Sequence, residues 1–295
     1  MSLFRDIETA IAEATGQAFV IALRQVAGGG CINQGLTLLG RDSRRFFLKL
    51  NIARQAHMFA AEAEGLSELD GAGALRVPKP IAHGVSGDQA FLVLEWLDLG
   101  GGGGGGSGAI LGQQLTQLHR VTRTCFGWHR DNTIGSTPQP NPDEADWLAF
   151  YGEHRLGHQL RLARQNNAPT QLVTTGERLM EVLPAFFPGY RPLPSLLHGD
   201  LWGGNHGDVN GQPVLFDPAV YFGDREADLA MTELFGGFPE AFHAAYREAW
   251  PLDPGYRVRK VLYNLYHVLN HFNLFGGGYA AQAQGMIARL LAECR

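Results

Sequence analysis

Three side chains in the second half of the chain have the types and the spacing to do chemistry together. They are Asp200, Asn205 five positions later, and Asp217 twelve beyond that. The apolar pair Leu196-Leu197 leads into His198-Gly199-Asp200, and Val214-Leu215-Phe216 leads into Asp217. An acid, an amide and an acid on closely spaced loops supply the hard oxygens that hold a divalent cation. The first acid can also orient a hydroxyl and accept its proton.

Such a set needs a cation for a polyanionic co-substrate. Lys49 interrupts the apolar strand Phe46-Phe47-Leu48-Lys49-Leu50. It is either an edge lysine on a solvent face or a phosphate-binding lysine held by an acid on the next helix. That helix, predicted over residues 55–69, offers Glu62, Glu64 and Glu68. Glu62 lies one turn from Met58, Phe59 and Leu66 and flanks the apolar stripe that would face a sheet, which favours it, with Glu64 as the alternative. Upstream, Gly28-Gly29-Gly30-Cys31-Ile32-Asn33 joins two strand-like runs, and a glycine tip can approach a ligand closely. The spacing Asp-x-x-x-x-Asn is that of a protein-kinase catalytic loop. The spacing alone is common; the order of glycine hairpin, strand lysine, helix glutamate, acid–amide loop and strand-ending acid is not.

The elements that must position these groups follow from periodicity. Leu3, Phe4, Ile7 and Ile11 recur at helical spacing, and strands are expected at 18–26, 35–39, 45–50, 81–85 and 91–97. Five strands and one intervening helix make a small lobe, residues 1–97. The remainder, 98–295, reads as mostly helical, with helices at 109–121, 143–164, 170–187, 226–235, 239–250, 258–275 and 280–294. Only two short strand-like runs interrupt them, before His198 and at 214–217. The expected class is α+β, with two lobes and a cleft between. Gly100 to Gly106 reads as a solvated loop; no strand feeds it and no lysine follows, so it is not a nucleotide-binding loop.

Composition bounds the function. A net charge of -5 argues against non-specific nucleic-acid binding. No apolar run approaches the roughly 20 residues of a membrane span, and the first residues lack the pattern of a signal peptide. Cys31, Cys125 and Cys294 form no metal or disulfide pattern, which fits a reducing cytoplasm. His154 with His158 and His267 with His271 share helical faces but lack a third ligand at fixed spacing, so packing or surface roles are expected. Monomer and homodimer both remain open.

The resemblance to a family rests on four stretches: Gly28 to Gln34, Ile134-Gly135-Ser136-Thr137-Pro138-Gln139-Pro140-Asn141, His198 to Asn205, and Phe216-Asp217-Pro218-Ala219-Val220-Tyr221-Phe222-Gly223. Together they resemble the signature motifs of the fructosamine kinases, over roughly residues 19–238. The resemblance implies a protein-kinase-like fold that uses ATP and Mg²⁺ to phosphorylate the 3-hydroxyl of ketosamines, free or on a glycated lysine, leading to deglycation. It implies that Asp200 is the base, with Asn205 and Asp217 as metal ligands. Lys49, held by Glu62, would bind phosphates beneath the Gly28–Asn33 turn, and Glu95, Trp96 and Leu97 would meet the adenine. His198 would support the loop, Asp228 would anchor it from the next helix, and Trp202 would either wall the sugar pocket or join the core. Two alternatives are a kinase of another small hydroxylated amine, such as an aminoglycoside or amino alcohol, and a silent nucleotide-binding module. The presence of Lys49, Asp200, Asn205 and Asp217 argues against the second.

Overall fold

The computed structural model describes residues 3–27, 32–100 and 107–294. The expectations placed on Gly28, Gly29, Gly30 and Cys31, and on most of the glycine run, lie outside the described residues. Packing divides the chain into two compact units: Met1–Ser107 with Gly207–Pro218, and Gly108–His206 with Ala219–Arg295.

The first unit is built on the five-stranded antiparallel sheet that the strand–turn pattern predicts, in the order β1-β2-β3-β5-β4. Its strands are β1 (Ile21–Val26), β2 (Gln34–Gly40), β3 (Arg45–Ile52), β4 (Pro80–Ser86) and β5 (Gln89–Glu95). Helix α1 (Leu3–Thr15) buries Ile7 and Ile11, one turn apart, in a core with Leu36, Leu38, Phe46, Leu48, Leu50, Phe91 and Val93. Because strand side chains alternate, placing Phe46, Leu48 and Leu50 in that core turns Lys49 to the opposite face. There α2 (Ala56–Gly71) packs with Met58, Phe59, Ala61, Ala63, Leu66 and Leu69 buried. β5 ends at Glu95, so Trp96 and Leu97, which the expected strand over 91–97 included, lie beyond it.

The sequence reading missed a hairpin. β9 (His206–Val209) and β10 (Gln212–Leu215) are joined by Asn210 at φ +53° and Gly211 at φ +82°, a two-residue turn with both residues left-handed. The Leu215 amide donates to the Arg76 carbonyl at 3.0 Å, which ties β10 to the first unit. The expected single strand over 214–217 is therefore the second arm of a hairpin that stops at Leu215.

The second unit is mostly helical, as expected. It contains α3 (Ser107–His119), α4 (Trp147–Tyr151), α5 (His158–Gln165), α6 (Thr170–Glu181), α7 (Arg225–Leu234), α8 (Glu240–Ala249), α9 (Tyr256–Phe275) and α10 (Tyr279–Glu293). The helix expected from Asp143 starts later because Asp146 caps it, accepting from the Ala149 amide at 2.8 Å. It then widens into π register over Gly152–Gly157. The helix expected to reach Phe187 stops at Glu181, ahead of a 3-10 turn that carries Pro184. The strand expected before His198 is present as β8 (Ser195–Leu197); β11 (Tyr221–Gly223), which pairs with it, and the pair β6 (Asn132–Ile134) with β7 (Thr137–Gln139) add to the expectation. At three residues each they are too short to show a period.

α9 is the core of this unit, with Leu262, Tyr263, Leu265, Tyr266, Val268 and Leu269 all buried. From its first turn Arg259 makes a two-pronged pair with Glu226 at 2.7 and 3.0 Å, both side chains fully buried. Among the described residues no helix is long and apolar enough to cross a membrane.

Candidate active site

In the first unit Lys49 is 6% exposed, and its Nζ lies 2.6 Å from Glu62 Oε1 and 2.6 Å from Asp217 Oδ1. The helix acid that pairs with it is thus Glu62. Burial alone would push the Lys49 charge off, but the carboxylates of Asp217 and Glu62 outweigh it and hold the ammonium above its ordinary range. Burial pushes the Glu62 carboxyl up, with Lys49 opposing. Asp217 adopts φ +57°, a left-handed conformation that a non-glycine residue takes at a cost. Such strain collects where a side chain must be aimed.

Asn51 Nδ2 donates to Asn33 Oδ1 at 2.7 Å and to the Ile32 carbonyl at 3.4 Å, which fixes Ile32 and Asn33 to β3. At the end of β5 the Glu95 carboxylate pairs with Arg76 and accepts the Lys79 amide at 3.2 Å. The Leu97 carbonyl accepts from Leu99 at 3.0 Å. Trp96 places its indole Nε1 in a buried position with no partner among the described residues.

In the second unit the loop after β8 is pinned from beneath. The amides of His198 and Gly199 donate to the two carboxylate oxygens of Asp228 at 2.7 and 2.8 Å. Asp228 is itself held by His119, whose Nε2 lies 3.2 Å away and whose Nδ1 lies 2.8 Å from the Tyr246 hydroxyl. Burial works against the Asp228 charge, but the hydrogen bond and charge of His119, the nearby His198 and the Gly199 amide hold its carboxyl below the usual range. The expected anchoring role of Asp228 is what the contacts display. His119, the last residue of α3, is a further member of the anchor.

His198 is fully buried, and its Nδ1 accepts the Asp200 amide at 3.3 Å, the geometry of a loop support. Gly199 sits at φ +82°, and a Cβ there would collide with the Ala219 carbonyl. The Ala219 amide in turn donates to the His198 carbonyl at 2.9 Å, so the loop before Asp200 and the chain just after Asp217-Pro218 are stitched together. Asn205 is 5% exposed and donates Nδ2 to the Asp200 carbonyl at 2.9 Å and to Asp200 Oδ2 at 3.2 Å.

A second brace comes from Asn132 and from Gln139 of the motif Ile134–Asn141, to which the sequence attached no role. Asn132 Nδ2 donates to the Val220 carbonyl at 2.7 Å, and Gln139 Nε2 donates to the Ala219 carbonyl at 3.2 Å. The Tyr266 hydroxyl fixes Gln139 by donating to its Oε1 at 2.6 Å. Trp202 is 39% exposed, which removes it from the core. Its ring lies over Gly204 and meets Phe235 edge-on, with centroids 6.5 Å apart.

Among the described residues no three His, Cys, Asp or Glu side chains form a metal-holding cluster. The donors on Asn205 and Asp217 are of the hard type Mg²⁺ requires.

A sheet unit with a lysine–glutamate–aspartate cluster, and a helical unit with an anchored Asp-x-x-x-x-Asn loop, define a protein-kinase-like protein. The family model described as fructosamine kinase matches residues 3–293, and the chain belongs to that family. A Synechocystis protein that carries the name ketoamine kinase is 49% identical over 292 residues, covering 98% of this chain and 97% of its own. The chloroplastic protein-ribulosamine 3-kinase of Arabidopsis thaliana is 41% identical over 276 residues, covering 92% of this chain and 83% of its own. The crystal structure of a Haemophilus somnus protein that carries the fructosamine-3-kinase name superposes with a TM-score of 0.89 at 29% identity, covering 98% of this chain and 97% of the other.

Proposed function

We propose that this protein is an ATP-dependent kinase that phosphorylates the 3-hydroxyl of ketoamines, the adducts of sugars with amines. The observation that carries the reading is the Asp200–Asn205 loop of a fructosamine-kinase family member, pinned through His198 and Gly199 to Asp228.

Asp200 orients the 3-hydroxyl and takes its proton as the oxygen attacks the γ-phosphorus; the bond to the ADP oxygen breaks, and ADP leaves. Asn205 and Asp217 are the protein ligands of Mg²⁺, which neutralises charge on the transferred phosphoryl group. Lys49 binds the α- and β-phosphates, with Glu62 keeping it in place. The Gly28–Asn33 turn covers the phosphates, and the backbone of Glu95, Trp96 and Leu97 meets the adenine. The first unit would therefore be the nucleotide-binding lobe and the second the catalytic and substrate-binding lobe. Trp202, half exposed beside Asp200, offers an aromatic face to the C–H surface of the sugar.

A phosphate at C3 is a far better leaving group than a hydroxyl. Once C1 and C2 enolise, phosphate departs from C3, water hydrolyses the imine left at C1 and the amine is freed, so the outcome is deglycation. The relatives' names support a ribulosamine- or fructosamine-type substrate, free or on protein lysine, and a reducing cytoplasm fits the chain's cysteines.

The test is ATP and Mg²⁺ with ribulose-lysine, fructose-lysine and an aminoglycoside. Phosphorylation of a ketoamine is expected, with Asp200→Asn slowing it by about 10²–10⁴-fold, the usual worth of a positioned base. Phosphorylation of the aminoglycoside alone would overturn the reading.

A further inference from the structure

The amine half of a ketoamine must extend away from the sugar, and the second unit has a surface beside Trp202 that the phosphoryl-transfer chemistry leaves unused. Helix α7 is followed by Phe235-Gly236-Gly237-Phe238. A Cβ on Gly237 would meet the Gly203 Cα at 2.8 Å, and one on Gly203 would meet the Gly236 carbonyl at 2.8 Å. Backbone lies directly on backbone here, so the turn after α7 is seated against the loop that carries Asp200 and Trp202. That contact brings the Phe235 ring to the edge of Trp202.

The aromatic surface continues ring to ring. Phe235 packs on His271 with centroids 4.9 Å apart, and His271 lies 5.7 Å from Phe275 and 5.2 Å from Tyr279. Trp202, Phe235 and Phe275 are 39%, 42% and 52% exposed, so large rings stand in solvent along one continuous strip. Scattered exposed aromatics need no explanation, but a contiguous row marks a binding surface. No member of the strip is a Lys, Arg, Asp or Glu. The nearby Glu233 is occupied by Lys260 at 2.6 Å and by the Tyr256 hydroxyl at 2.7 Å.

We propose that Trp202, Phe235, His271, Phe275 and Tyr279 form an amine-side subsite that binds the apolar or aromatic substituent on the nitrogen of the ketoamine. This rests on the ketoamine kinase reading, and it adds that the enzyme selects its substrate by the amine as well as by the sugar. One molecule spans both ends: the sugar meets Trp202 at Asp200, and the substituent runs outward over Phe235 toward Phe275.

Two ribulose adducts test it, one of methylamine and one of 2-phenylethylamine, assayed with ATP and Mg²⁺. In the unaltered protein kcat/KM for the phenylethyl adduct is expected to exceed that for the methyl adduct by about tenfold or more, the worth of burying a phenyl group, carried by KM. Phe275→Ser, at the exposed end of α9, and Phe235→Ser should each bring that ratio toward one. Phe235→Leu, which keeps apolar bulk, should retain most of it. Equal kcat/KM for the two adducts in the unaltered protein, or a ratio unchanged by both serine variants, would overturn the subsite. Concentration-dependent dimerisation lost in Phe275→Ser, with the ratio unmoved, would assign the strip to self-association instead. If neither adduct is phosphorylated, the ketoamine reading fails first and the subsite with it.

Discussion

Lys49 is a charge that the fold buries with its partners already in place. With Glu62 and Asp217 both 2.6 Å away, it stays an ammonium across the whole working range of pH. It should therefore contribute no limb to a pH–rate profile. Lys49→Met is expected to lower kcat/KM for ATP by about 10²–10³-fold, as for loss of one electrostatic donor to the transition state. Glu62→Gln should cost less, because Asp217 still holds the lysine. Steady-state kinetics with varied ATP check both; turnover within threefold of normal in Lys49→Met would remove the residue from the phosphate site. His119 acts through Asp228 and touches no reacting atom in the proposed scheme, so it is a positioning residue. The order of loss expected is Asp200 first, Asp228 next and His119 last.

At the scale of elements, the loop after β8 depends on glycine for two separate reasons. Gly199 is left-handed, and a Cβ would also strike the Ala219 carbonyl. Gly73 shares the first condition, at φ +63°, but has nothing within 4 Å. Gly73→Ala should cost about 1 kcal/mol of stability and no activity, the usual penalty of an incompatible φ. Gly199→Ala should cost more and lower kcat, since Asp200 follows it directly. Denaturant melts and turnover on both variants separate strain from collision; equal losses would show that the Ala219 contact is unimportant. Where a run of residues repeats at a clear period, the sequence was readable: α1, α2, the five-stranded sheet and the helices of the second unit were all legible. The Lys49–Glu62 pair was legible too, because Glu62 flanks an apolar stripe. What escaped was short or set by distant partners. β6, β7 and β11 are three residues long, and the hairpin before Asp217 is announced only by Asn210-Gly211. The braces from Asn132, Gln139 and Tyr266 join residues about 80 to 127 positions apart, and no local pattern encodes such contacts.

At the scale of the whole molecule, buried histidines make the fold sensitive to acid. Burial pushes His267 down to about 3, and His158, His206 and His243 are shifted down for the same reason. In the unfolded chain each takes a proton near pH 6.5, while the folded chain leaves His267 neutral until about pH 3. The unfolded state then binds more protons, so stability falls as pH drops below 6.5, by up to about 1.4 kcal/mol per unit from His267. Asp228, held low, contributes stability above its unfolded value that is lost as pH falls further, through its folded value. Urea melts at pH 7.5 and 5.0 should show the loss, and His267→Gln should flatten part of it; equal stability at the two pH values would mean that His267 charges within the fold.

The first unit is discontinuous in sequence, and this sets an order of events during synthesis. Asp217 follows Lys49 by 168 residues. At about 5–20 residues per second, a ribosome needs on the order of 10–30 s to make that interval. From the completion of β5 at Glu95 to the end of that interval, the nascent sheet has all five of its strands and Glu62, yet carries a lysine whose second carboxylate has not been made. A chain halted before Gly207 would stay in that condition, and cellular quality control would meet it as an unfinished product.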